Sequence, residues 1–99
     1  MEINKQMNGN EMIVSPSGSL DTITTPDLEE KIGNLDGVTS LVIDCKGLDY
    51  VSSSGLRLFL KLHKAMKEKG NFKLINVSPL IKEIFDVTRF SDVLNIELA

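Results

Sequence analysis

Chemically reactive side chains are scarce in this sequence. One cysteine and one histidine occur in 99 residues. The lone cysteine, Cys45, permits no intrachain disulfide, and at the end of an apolar run it reads as a small buried hydrophobe. Cys45 and His63 together fall short of the soft-ligand cluster that zinc requires. Basic residues are outnumbered too: 11 Lys and Arg stand against 14 Asp and Glu, for a formal net charge of −3. That balance argues against a nucleic-acid partner, which calls for a basic face to neutralise phosphates. No apolar run approaches the roughly 20 residues that cross a bilayer, and the opening Met1-Glu2-Ile3-Asn4-Lys5-Gln6 has no apolar signal core. A soluble, cytoplasmic protein with no membrane partner is therefore expected. There is no Gly-x-x-x-x-Gly-Lys phosphate loop, no His-Glu-x-x-His pair and no acidic ladder with calcium-loop spacing. Neither a metal nor a cofactor is expected.

What is present suits one domain spanning residues 1–99. Hydrophobic residues make up 41% and charged residues 25%, the balance of a globular chain rather than a disordered one. The length allows one core of modest size. Ile3 and Met7, the turn Asn8-Gly9-Asn10 and the run Glu11-Met12-Ile13-Val14 predict an antiparallel hairpin, with Pro16 and Gly18 ending its second strand. Gly18 to Thr25 then reads as a hydroxyl-rich loop. A helix follows, with Thr25 as N-cap, Pro26 at its first position and an end near Asn34; Leu28, Ile32 and Leu35 mark its buried face.

Leu41-Val42-Ile43 is apolar without alternation, which predicts a strand covered on both faces. Lys46 to Val51 reads as its connector to the next helix, Ser54 to Lys69. That helix carries Leu56, Leu58, Phe59, Leu60, Leu62, His63, Ala65 and Met66 over more than half its circumference, with Arg57, Lys61, Lys64 and Glu68 in a narrow polar strip. Asn71 to Val77 predicts another strand. Ser78-Pro79 opens a third helix in the same grammar as Thr25-Pro26, and Phe90, Val93, Leu94 and Ile96 form a tail with a last edge strand. Alternating strands and helices predict an α/β fold, a mixed β-sheet with a parallel core built by right-handed crossovers. In such sheets sites gather where strand C-termini meet helix N-termini. That rule puts Gly18–Thr25, the serine stretch and Asn76–Ser78 at one end of the sheet.

The stretch Asp49-Tyr50-Val51-Ser52-Ser53-Ser54-Gly55-Leu56 is the most distinctive. Three serines sit where a helix begins, and the first turn of a helix leaves N–H groups unpaired and carries partial positive charge. One serine suffices for capping. Three, followed by a glycine that costs roughly 0.8–1.0 kcal/mol in helix propensity, exceed what a cap requires. Two readings stand open on these residues: capping alone, or an anion or phosphoacceptor site. Catalysis is not among them. A serine hydrolase needs a base and an orienting acid, and Val51 stands where a nucleophile elbow would have its first glycine. His63 lies on the same helix, roughly 13 Å or more away at about 1.5 Å per residue, too far for proton transfer. It lies on an apolar face and reads as a packed core histidine. No enzyme is expected.

In their order, these motifs resemble one family over nearly the whole chain. Gly18-Ser19-Leu20-Asp21 before a helix is similar to the Gly-x-Leu-Asp motif of STAS domains. Leu41-Val42-Ile43-Asp44 followed by Tyr50-Val51-Ser52-Ser53-Ser54-Gly55-Leu56 resembles the signature of that family's anti-sigma-factor antagonists, and Asn76-Val77-Ser78-Pro79 through Ile84-Phe85 resembles the strand and helix that follow. The resemblance implies a single STAS-like domain with about three to four helices around the mixed sheet. It implies phosphorylation at the serine two places before the glycine, Ser53, and a partner-binding face comprising Asp21, Thr22, Ser52, Ser53, Ser54 and Gly55. The implied partners are an anti-sigma factor that is also a serine protein kinase, and a metal-dependent serine phosphatase. Unphosphorylated, such a domain binds the anti-sigma factor and frees a sigma factor; phosphorylation releases the partner. The alternative within the fold is a non-phosphorylated STAS scaffold in a transport or stress-signalling complex. Two departures stand out. Ser52 occupies a position where the family commonly has Asp, and after Phe90 little room remains for the final helix that many members carry.

Overall fold

A two-residue turn starts the architecture. In the computed structural model, which describes residues 1–99, β1 (Glu2–Asn8) and β2 (Glu11–Leu20) form an antiparallel hairpin whose last pair is Asn8 with Glu11. Gly9 takes a φ of 60° and Asn10 does not, the pattern of φ signs that a II′ turn asks of its first central residue. The chain continues through α1 (Thr25–Ile32), β3 (Ser40–Asp44), β4 (Gly47–Val51), α2 (Ser53–Met66), β5 (Asn71–Val77), α3 (Pro79–Val87), a 3₁₀ turn (Phe90–Asp92) and β6 (Ile96–Leu98). The sheet has six strands in the order β1-β2-β3-β5-β6, with β4 also paired to β2. Every pairing after the hairpin is parallel.

The order β2, β3, β5, β6 advances in one direction across the sheet. Right-handed crossovers then put all three helices on the same face. The core agrees: Leu28 and Ile32 of α1, Phe59 and Met66 of α2, and Ile81 and Phe85 of α3 share one cluster with Val14, Leu41, Ile43 and Leu74 of the strands. The Phe59 and Phe85 rings meet at a centroid separation of 6.1 Å and an interplanar angle of 58°. Val42 is buried yet stands outside that cluster. It points to the opposite face, registered between Ile13 and Lys73. The unbroken apolar run of β3 therefore does not mean helices on both sides, because neighbouring strands alone bury its middle residue.

Several boundaries differ from expectation for local reasons. β2 does not end at Pro16 but runs on to Leu20. Its parallel edge is shared: β3 pairs with Glu11 to Val14 and β4 with Ser17 to Leu20. Pro16 falls in the gap, where no parallel partner calls for its missing N–H. The presumed connector Lys46 to Val51 contains β4. This strand escapes an alternation test because its buried residues, Leu48 and Val51, are three apart. Gly47 admits it, since a Cβ there would lie 2.9 Å from Cβ of Ser17. The first helix is preceded by Thr24 rather than Thr25 as N-cap and stops at Ile32, with Gly33 after it at φ 64°. The second helix spans Ser53–Met66 instead of reaching Lys69. A Cβ on Gly70 would lie 1.9 Å from the Thr39 carbonyl oxygen, so the chain turns there as Asn71 N–H donates to that oxygen. His63 is half-buried rather than packed in the core.

Candidate functional site

Three strand-to-helix junctions meet at the C-terminal end of the parallel strands. At the first, β2 ends in Leu20 and the chain turns through Asp21 to Thr24. The Asp21 carboxylate faces its own loop: Oδ1 accepts from the N–H groups of Ile23 and Thr24, both at 2.9 Å. The Thr24 hydroxyl closes the turn by accepting from Asp21 N–H at 2.9 Å and donating to the Ser19 carbonyl at 2.7 Å. Hydrogen bonds from the Thr24 and Ile23 N–H groups hold the Asp21 carboxyl below its ordinary pKa, because they favour the charged form. Thr22, at the tip, is exposed.

The second junction is the serine stretch, and the structure gives its three hydroxyls different environments. Ser52 precedes α2 in an extended conformation, and its N–H donates to the Leu20 carbonyl at 2.8 Å, so β4 hands over to the helix against β2. Its hydroxyl is buried without a hydrogen-bond partner and does not cap the helix. Ser53 opens α2 and is exposed. The Ser54 hydroxyl lies 3.2 Å from that of Thr22 and accepts from the Arg57 guanidinium at 3.3 Å. The first turn thus contains no serine cap, and capping does not explain the run of hydroxyls.

Gly55 permits a close approach of the helix to two strand ends. It is buried, and a Cβ there would stand 2.8 Å from Leu20 Cδ2 and 2.9 Å from Val51 Cγ1. The missing side chain lets the first turn of α2 rest on the ends of β2 and β4, which fixes the height of Ser53 above the sheet. At the third junction, Asn76 adopts a φ of 54° and donates from Nδ2 to Asp44 Oδ1 at 3.0 Å. Ser78 is a true cap there, its hydroxyl accepting from Ile81 N–H at 3.3 Å.

The six residues assigned to a binding face therefore divide. Thr22 and Ser54 are joined directly, Ser53 stands beside them, Asp21 shapes the loop from within, and the Ser52 hydroxyl and Gly55 lie beneath the surface. Two features were not singled out by sequence reasoning. Arg57 reaches the cluster through Ser54, a contact signalled by their separation of three residues on the helix. A shallow groove of about 330 Å³ between β4 and α3 is lined by Tyr50, Leu80, Glu83, Ile84, Val87 and Thr88, with Val87 77% exposed. Helical periodicity gives no warning of this groove, because Leu80 recurs with Ile81, Ile84 and Phe85 at the spacing of an ordinary apolar helix face.

Known proteins resemble this chain in sequence and in fold. The sequence pattern of the STAS domain family matches residues 2–99. An anti-sigma-B factor antagonist of Bacillus subtilis (strain 168) is 31% identical over 98 residues, covering 97% of this chain and 90% of that protein. Among solved structures, an anti-sigma factor antagonist from Mycobacterium paratuberculosis superposes with a TM-score of 0.88 at 22% identity, over 99% of this chain and 86% of that one. The Bacillus cell fate determinant SpoIIAA in its phosphorylated form gives a TM-score of 0.74 at 20% identity, over 96% of this chain and 90% of the other.

Proposed function

From the premise that this chain belongs to the STAS domain family, among its anti-sigma-factor antagonists, we propose that it is a protein switch set by phosphorylation of Ser53. The antagonists of this family are regulators and not enzymes. In this reading the unphosphorylated chain binds an anti-sigma factor with serine kinase activity through the corner formed by Thr22, Ser53 and Ser54, and so frees a sigma factor. The kinase transfers the γ-phosphoryl group of ATP to Ser53 Oγ, which gives up its proton as ADP leaves. A metal-dependent serine phosphatase later removes the phosphate.

One observation carries the choice of acceptor. Ser53 alone of the three serines is exposed without an internal hydrogen bond, whereas the Ser52 hydroxyl is buried and the Ser54 hydroxyl is held by Thr22 and Arg57. That a related fold, SpoIIAA, exists in a phosphorylated form supports the same reading. Release follows from charge. A phosphate adds about −1.5 to −2 charges and a bulky hydrated group where a small hydroxyl was packed, and a fitted interface then loses affinity through repulsion and desolvation.

The test is capture from the native lysate with unphosphorylated protein as bait, followed by ATP. A serine kinase should be retained and then released as the bait gains one phosphate by intact mass. Ser53→Ala should retain the partner through the ATP step, and Ser53→Asp should bind at least about tenfold more weakly, a loss of about 1.4 kcal/mol. A phosphate that persists in Ser53→Ala removes the acceptor assignment. Capture of no kinase leaves the scaffold reading.

A further inference from the structure

Resting on the reading of Ser53 as phosphoacceptor, we infer that Arg57 receives and orients the Ser53 phosphate in a salt bridge along the first turn of α2. Arg57 follows Ser53 by four residues, the separation at which side chains on a helix lie over one another. Helical side chains lean toward the N-terminus. Arg57 does so, and its Nη2 already reaches the Ser54 hydroxyl at 3.3 Å.

The electrostatic setting of Arg57 points the same way. The ion pairs of the structure are Lys61–Glu29, Lys73–Glu97 and Lys82–Asp86. Arg57 belongs to none of them, although it is exposed. The first turn of α2 has no acidic residue. The guanidinium's one side-chain hydrogen bond goes to a neutral hydroxyl, that of Ser54, which lies 3.2 Å from the Thr22 hydroxyl. A guanidinium is far better matched to a phosphate, which it can grip with two parallel N–H donors. Residues 53 to 60 contain no other cation. Lys61, one turn further, is already paired with Glu29 of α1. Asp21, the carboxylate of the adjoining loop, points into its own turn.

On phosphorylation the guanidinium leaves a neutral acceptor for a dianion one residue away. Ser54 keeps its bond to Thr22, so the loop and the helix need not separate. Arg57 is a positioning residue in this account: it fixes where the phosphate sits on the partner-binding face.

Incorporation of phosphoserine at position 53 during translation tests this without any kinase. The phosphorylated full chain would be compared with its Arg57→Ala, Arg57→Lys and Lys61→Ala variants by ³¹P NMR titration. A neighbouring cation favours the dianion and lowers the second phosphate pKa. The native chain should titrate about half a unit or more below Arg57→Ala, with Arg57→Lys between them and Lys61→Ala like the native chain. The Arg57 Nε–H resonance should also move when position 53 carries the phosphate. Equal phosphate pKa values in the native chain and Arg57→Ala, with an unmoved Nε–H resonance, overturn the inference. Neither result depends on which partner the lysate yields, so failure here and failure of the switch reading can be told apart.

Discussion

Asp21 illustrates how far residue type alone constrains a role. An acidic residue at the start of a loop can face a partner or fold its own turn, and the sequence is the same in both cases. Here the N–H groups of two neighbouring residues, Thr24 and Ile23, donate to Oδ1, and these bonds hold the carboxyl below its ordinary pKa of 3.8. A carboxyl whose folded pKa is depressed contributes stability above the unfolded value and loses it as pH falls through the folded value. Asp21→Ala should therefore be less stable than the native chain at neutral pH, and the gap should close as pH drops below about 4. Urea melts across this range measure it; a gap that stays constant down to about pH 2 would show that the carboxylate charge is not its source. Thr22 was legible as a neighbour of the serines because the topology puts both loops at one end of the sheet. The inward turn of Asp21 was not, because it depends on the Thr24 hydroxyl closing the turn onto Ser19.

Ser52 and Ser78 both stand in extended backbone just before a helix, and propensity treats them alike. Their hydroxyls do not behave alike. That of Ser78 accepts from Ile81 N–H, so Ser78→Ala should cost about 1 kcal/mol of unfolding free energy, the usual value of a cap. The Ser52 hydroxyl is buried with no partner. Removing an unsatisfied polar group relieves a desolvation cost, so Ser52→Ala should be neutral or slightly stabilising. Denaturant titration of the two variants decides it, and equal losses would mean that Ser52 caps after all. Gly55→Ala sets two effects against each other in the same helix. Alanine gains roughly 1 kcal/mol of helix propensity, but its Cβ would press on Leu20 and Val51 at under 3 Å, and overpacking typically costs about 1–3 kcal/mol. Contacts from two side chains and two strands leave little room for relief, so a net loss of about 1 kcal/mol or more is expected. A variant more stable than the native chain would show that Leu20 and Val51 give way easily. The existence of α2 was plain from its apolar face; the reason for its glycine was not, because that reason lies in two strand ends distant in sequence.

Taken whole, the parallel core and the shared end of its three junctions followed from the alternation of strands and helices, since right-handed crossovers leave few alternatives. The strand that escaped, β4, pairs only along the far half of β2 and follows β3 after two residues, so nothing local distinguishes it from a connector. This division of β2 between two partners also sets the serine corner and the hairpin turn at opposite ends of the molecule. The Asn8–Glu11 turn and the serine corner lie at opposite ends of β2, ten residues long, or about 30 Å at the rise of a strand. The molecule measures 33 × 27 × 22 Å, whereas the Debye length at physiological ionic strength is about 8 Å. A phosphate on Ser53 changes the net charge from −3 by about −1.5 to −2, yet its field fades well before the hairpin. The core cluster under α2 is apolar and has no charged member for that field to displace. Hydrogen exchange of the chain with phosphoserine at position 53 should therefore differ from the unmodified chain at Asp21 to Thr24 and Ser52 to Arg57, and match it within error at Asn8 to Val14. Altered exchange at the hairpin would mean that the switch reshapes the sheet, and that release of a partner is a conformational event rather than a local change of charge.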